Sequence, residues 1–145
     1  MPDAALRTPC APVGVIDDAV RTLAADMLET MYAATGRGLA APQVGALCRV
    51  FVMDATWKDG TPEPRVFVDP EIVRVSEETA TGEEGCLSIP GDPVIVTRPA
   101  EVTVRWTDLD GEPREEVFTG FGAVCVQHET DHLDGILCTD RMERT

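Results

Sequence analysis

Thr119-Gly120-Phe121-Gly122-Ala123-Val124-Cys125-Val126-Gln127-His128-Glu129-Thr130-Asp131-His132-Leu133-Asp134-Gly135 is the stretch on which the reading of this chain turns. It holds both histidines of the 145-residue sequence, four positions apart. Chance gives two histidines that spacing in roughly one placement in seventy, so the pattern carries information. It predicts a helix over about 120–133, with Thr119 as N-cap and Gly135 just beyond the end. On a helix, residues i and i+4 share a face one turn apart, so His128 and His132 can reach one metal ion together. Glu129 lies about 100° around the axis from His128, where it can flank that ion and meet a water without being a ligand.

Two nitrogen donors do not make a stable site. No third histidine exists, and the only glutamate after His132 is Glu143, so cysteine is the best remaining donor. Cys125 shares the histidine face but sits five residues before the midpoint of the pair, about 7.5 Å along the axis and out of reach for so short a side chain. Cys48 falls in a predicted strand with no supporting local pattern. Cys86 stands in Gly82-Glu83-Glu84-Gly85-Cys86-Leu87-Ser88-Ile89-Pro90, which reads as an irregular, exposed turn. A thiolate there can approach a helix across a cleft.

Outward from these segments, the chain reads as one domain over residues 1–145, with no repeats, low-complexity tracts or dividing linker. Residues 1–16 read as an extended arm broken by prolines. Val20, Leu23, Ala24, Met27, Leu28 and Met31 recur at helical spacing and predict an amphipathic helix over about 17–34, with Asp17 or Asp18 at its start and Gly36 at its stop. Strands are predicted at 48–54, 65–69, 72–77 and 101–107, the last returning through Asp108-Leu109-Asp110-Gly111 into a strand at 112–118. Strands between two helices imply an α+β fold: mainly antiparallel sheets around a central metal-binding helix, with an N-terminal amphipathic helix. With few aromatics, aliphatic residues are expected to do most of the packing.

Twelve basic against 26 acidic residues give a net charge of −14, which argues against direct nucleic-acid binding because phosphate affinity comes mainly from Lys and Arg. No apolar run is long enough to span a bilayer and the N-terminus lacks a secretory signal, so a cytoplasmic location is expected, with no membrane partner. Five cysteines without a CxxC pair argue against a disulfide framework.

Three motifs in order make the chain resemble the peptide deformylase family: Gly36-Arg37-Gly38-Leu39-Ala40-Ala41-Pro42-Gln43, then Glu84-Gly85-Cys86-Leu87-Ser88, then Gln127-His128-Glu129-Thr130-Asp131-His132-Leu133. The likeness extends over nearly the whole chain, including the Arg98 region. It implies that Cys86, His128 and His132 bind the metal and that Glu129 is the catalytic acid/base. It also implies oxyanion donation from the Gln43 amide and the Leu87 backbone N–H. An N-formylated nascent peptide would pair in extended form with backbone near Gly38 and near Gly85 to Leu87. The resemblance implies one divalent ion per chain, commonly Fe²⁺, with Zn²⁺, Ni²⁺ or Co²⁺ able to occupy the site.

Phe121, Val124, Cys125, His128 and His132 fall on one helical stripe, giving either an apolar floor suited to a methionine side chain or simply core. Gln127 and Asp131 are candidates for orienting the ligands, or surface residues. Arg98 is expected to pair with a nearby acid. Arg37 stands where the family commonly has an apolar residue; it either alters which residues are accepted beyond methionine or points to solvent. Many bacterial relatives continue into a long C-terminal helix that in some contributes to ribosome docking, so weak or transient ribosome contact is expected here, and a monomer. Two rival functions remain: a deformylase-like paralogue with a binding or regulatory role, and a metallopeptidase of broader specificity.

Overall fold

The computed structural model describes residues 8–86, 89–137 and 140, and only the backbone of residues 85, 86 and 89–92. Its first helix, α1 (Asp18–Ala33), begins where Asp17 accepts a hydrogen bond from the Val20 N–H at 3.0 Å. It buries Ala24, Met27 and Met31, the stripe predicted from spacing. Seven strands follow: β1 (Gly38–Ala40), β2 (Val50–Met53), β3 (Arg65–Val75), β4 (Thr79–Cys86), β5 (Ile89–Pro99), β6 (Glu101–Thr107) and β7 (Pro113–Thr119). Helix α2 (Gly120–Leu133) completes the α+β arrangement, with Thr119 at its N-cap position. Its bounds are those read from the histidine-bearing stretch.

One antiparallel sheet has the order β1-β2-β3-β6-β7, and β4 pairs with β5 in a separate two-stranded sheet. Alternation along the strands assigns each helix its face. Met27 and Met31 of α1 pack with Leu39, Val50, Val52 and Val68. Ala123, Val126 and Leu133 of α2 pack with Ala40, Phe51, Met53, Phe67, Val102, Val104 and Phe118. Strand β2 is therefore buried on both faces, between the two helices. Its neighbour β1 lies at the sheet's edge, alongside α2.

Two expectations are corrected. The runs 65–69 and 72–77 are one strand, β3, with register shifts between Val68 and Arg74 where it pairs with β6. The irregularity falls at Asp69, whose positive φ of 50° is uncommon for a residue with a side chain, followed by Pro70. The Asp69 carboxylate accepts from the Val13 and Gly14 N–H groups at 2.7 and 2.9 Å, fastening the arm to the sheet. Residues 82–86 are strand rather than irregular turn, forming the end of β4, and β5 starts at Ile89. Two glycines and adjacent acids hid that strand, because they break the apolar alternation that marks one. Aromatics also pack more than their scarcity suggested. Phe51, Phe67, Trp106 and Phe118 form one buried cluster, with centroids 4.4 Å apart for Phe51–Phe67 and 4.5 Å for Phe67–Trp106.

Candidate active site

Helix α2 is buried along its last three turns, from Cys125 to Leu133. The two imidazoles converge: His128 Nε2 and His132 Nε2 are 3.2 Å apart. Nitrogen, nitrogen and carboxylate donor atoms of His128, His132 and Glu129 all lie within 4.8 Å of one another.

This donor set fits a divalent cation. Two ring nitrogens bound to one ion at about 2.0–2.1 Å, with a near-tetrahedral angle, sit roughly 3.4 Å apart. The observed spacing is close to that. His128 Nδ1 lies 3.0 Å from Glu84 Oε1. A carboxylate only accepts, so the proton sits on Nδ1, and in the neutral ring Nε2 keeps its lone pair toward His132. Burial, then the neighbouring His128 and Arg98, pushes the His132 ring down to about 3, which keeps it neutral as a ligand must be.

Glu84 was not singled out by the sequence, yet it is the hub behind the histidines. Burial alone would raise its carboxyl, but hydrogen bonds from His128 and Arg98 overcome that and hold it at about 2. Arg98 of β5 donates to both Glu84 oxygens, Nε at 2.7 Å and Nη2 at 2.8 Å, and through Nη1 to Asp131 Oδ2 at 2.8 Å. The expected arginine–acid pairing is therefore a buried three-residue clamp joining the second sheet to α2. Asp131 enters this clamp by accepting from Arg98. Gln127 does not serve the ligands; its amide donates to Pro99 and Ala123 carbonyls, both at 3.0 Å, tying α2 to the end of β5.

Glu129 is deeply buried, and burial first of all raises its carboxyl to about 7, against lowering by His128 and Arg98. A cation held beside it would favour the charged form and oppose burial. Among the described residues, Oε1 has no hydrogen-bond partner. A buried acceptor left unpaired is rare and costs about 1–3 kcal/mol, which marks this atom as a candidate to receive a proton. Gly38 makes room for it: a Cβ there would lie 2.5 Å from Glu129 Oε2 and 2.9 Å from Cys125 Sγ.

A cleft of about 460 Å³ leads to this point. Gly38, Arg37, Gln43, Phe121, Val124, Cys125, His128 and Glu129, all named from sequence, line it. So do Thr35, Gly36, Lys58, Glu83 and Glu84, which were not given a role in the site. Gln43 Oε1 accepts from the Ala40 N–H at 2.9 Å, so its amino end points away from that strand. Arg37 does not simply point to solvent; its guanidinium carbon stacks 5.0 Å from the Phe121 ring centre. His132 is fully buried behind the cleft. The side chain of Cys86 and all of Leu87 lie outside the described residues, as does the Gly85 side of the motif beyond its backbone.

The sequence profile of the polypeptide deformylase family matches residues 1–145. A peptide deformylase of Afipia carboxidovorans is 51% identical over 144 residues, covering 99% of this chain and 84% of the relative. One from Pseudomonas aeruginosa is 51% identical over 139 residues, covering 96% and 82%. Among solved structures, a Synechococcus elongatus peptide deformylase in complex with actinonin superposes with a TM-score of 0.94 at 44% identity, over 98% of this chain and 77% of that one. The Thermotoga maritima peptide deformylase superposes at 0.91 with 41% identity, over 98% and 93%. Matching in sequence and in fold alike, this chain belongs to the polypeptide deformylase family of metal-dependent hydrolases.

Proposed function

We propose the following division of labour for the family's reaction, hydrolysis of the formyl group of N-formylmethionyl peptides to formate and a free N-terminus. His128, His132 and Cys86 hold one divalent ion, natively Fe²⁺, with Zn²⁺, Ni²⁺ and Co²⁺ as possible occupants. Support for Cys86 is proximity: Glu84 of the same strand touches His128, and two residues span at most about 7 Å of chain. Such an ion supplies Lewis acidity to water and to the formyl oxygen. All else is done by the chain's own groups.

Glu129 takes a proton from the attacking water with its unpaired Oε1 and returns it to the departing amine nitrogen. The Gln43 amino group and the Leu87 N–H donate to the oxygen on which charge develops. Phe121, Val124 and Cys125 receive the methionine side chain, and the peptide adds alongside the edge strand β1 at Gly38 and the Gly85–Leu87 backbone. The whole of residues 1–145 then acts as one catalytic domain, a monomer in the cytoplasm meeting nascent peptides with at most transient ribosome contact. Among the described residues no helix is long and apolar enough to cross a membrane.

The observation carrying this reading is the 3.2 Å approach of two buried imidazole nitrogens beside a buried carboxylate whose Oε1 has no partner among the described residues. A merely structural metal site has no use for that carboxylate, which separates an enzyme from a binding paralogue. Formate release from formyl-Met-Ala-Ser by protein loaded anaerobically with Fe²⁺ is the test, with acetyl-Met-Ala-Ser and Met-Ala-Ser as comparisons. Turnover of the formyl peptide alone is expected; cleavage of ordinary peptide bonds would favour a broader peptidase, and no formate would refute the assignment. Glu129→Gln should keep its metal and lose turnover by about 10²-fold or more.

A further inference from the structure

In a chain with 26 acidic and 12 basic residues, a cation without a carboxylate partner is conspicuous. Arg21, Arg49, Arg65, Arg98, Arg105 and Arg114 all pair with acids. Arg37, Lys58 and Arg74 do not, among the described residues, and of these Arg37 and Lys58 line the cleft. Lys58 is the only lysine in the sequence. Arg37 keeps a buried Nε without a hydrogen-bond partner while its plane rests on Phe121.

Their positions are built. Asp54, fully buried, accepts from the Tyr32 hydroxyl and from the Thr56, Trp57 and Glu63 N–H groups, while its own N–H donates to the Arg37 carbonyl at 2.8 Å. Trp57 Nε1 donates to the Gly36 carbonyl at 2.9 Å. These bonds bind the 54–63 loop to the Gly36–Arg37 segment that leads into β1 and set Lys58, whose ammonium lies 5.8 Å from the Trp57 ring centre, on the rim with Arg37. Two acids also line the cleft. Glu84 is engaged by Arg98 and by the His128 ring, and among the described residues exposed Glu83 makes no ion pair with either rim cation.

We propose that Arg37 and Lys58 form an anion-selecting rim, so that the enzyme prefers formylated peptides with Asp or Glu within two residues after the formylmethionine. The proposal rests on the deformylase reading: with the formyl group at Glu129 and the peptide along β1, the following residues leave past Arg37. A carboxylate there meets two cations in a protein whose overall field otherwise repels it.

The test compares near-isosteric amidated substrates on the iron-loaded enzyme: formyl-Met-Glu-Ser-amide with formyl-Met-Gln-Ser-amide, and formyl-Met-Ala-Glu-amide with formyl-Met-Ala-Gln-amide. At low salt, kcat/KM should favour the acid by about 3- to 10-fold in at least one pair, through KM, and the ratio should shrink toward one at about 0.5 M salt. Lys58→Gln should lower the ratio, Lys58→Glu should abolish or invert it, and Lys58→Arg should restore it. Equal use of acid and amide substrates, or a ratio untouched by Lys58→Glu, would overturn the proposal. A preference shown only by free-acid formyl-Met-Ala-Ser over its amide would also overturn it, assigning the rim to a terminal carboxylate. No formate from any peptide would instead sink the deformylase reading, whereas equal turnover of all sinks the rim alone.

Discussion

Gly38 is the residue on which the site's geometry is most sharply constrained. Its missing side chain is space for the Glu129 carboxylate, and an added methyl cannot share it at 2.5 Å. Gly38→Ala should displace Glu129 and cut kcat by about 10–100-fold, since a 1 Å misplacement of a reacting group costs about that much. An unimpaired Gly38→Ala enzyme would show that Glu129 need not stay where it is. The histidine pair was legible because its geometry is local: four residues on one helix fix it whatever the rest does. Gly38 was legible only through family likeness, for nothing within its own strand announces a carboxylate arriving from α2. Tyr32, the sole tyrosine, allows a second check. Burial and its 2.5 Å hydrogen bond to Asp54 raise its hydroxyl from 10.0 to about 12. The folded value exceeds the unfolded one, so the neutral phenol's contribution to stability is complete below pH about 10 and is withdrawn as pH climbs toward 12. Tyrosinate absorbance should rise late in the native protein and earlier in Asp54→Asn; coincident curves would remove the role given to Asp54.

At the level of elements, the Glu84–Arg98–Asp131 clamp matters more than the surface ion pairs. Exposed pairs such as Arg105–Glu115 contribute about 0–1 kcal/mol. Breaking a buried pair by removing one partner costs about 3–5 kcal/mol, because the other charges stay buried. Arg98→Ala should therefore lower unfolding free energy by about that amount in denaturant titration, while Arg105→Ala changes it little; equal small losses would deny the clamp its importance. Glu84→Gln keeps the shape but weakens the acceptor that holds the His128 proton. It should loosen metal binding by about 10–100-fold in competition with a chelator. Helices α1 and α2 were readable from periodicity, whereas β4 was not. Its identity depends on pairing with β5, and Glu84's role on that pairing plus an arginine fourteen residues away. Such dependence on distant partners leaves no local trace.

For the molecule as a whole, the excess of acids sets a global repulsion that the compact state must bear. Moderate NaCl, by screening it over about 8–10 Å, should raise the melting temperature by about 2–4 °C, roughly 1 kcal/mol. A flat or falling melting temperature would mean that the charges already lie far enough apart. The α+β class was legible because the strand patterns run one after another between two helical ones. The wrapping of one helix by five strands, with β1 at the edge beside it, was not, since strand order is decided by contacts among residues far apart in sequence.

The hydrogen bond from Trp57 to the Gly36 carbonyl has a practical corollary. Of the two tryptophans, Trp106 is sealed in the aromatic cluster, whereas Trp57 is half-buried next to the cleft's walls. Anything that settles against Arg37 or Lys58 alters the polarity and hydration felt by one indole and leaves the other as an internal standard. The protein thus carries a fluorophore at its own doorway, and occupancy can be followed by light emission without attaching a label.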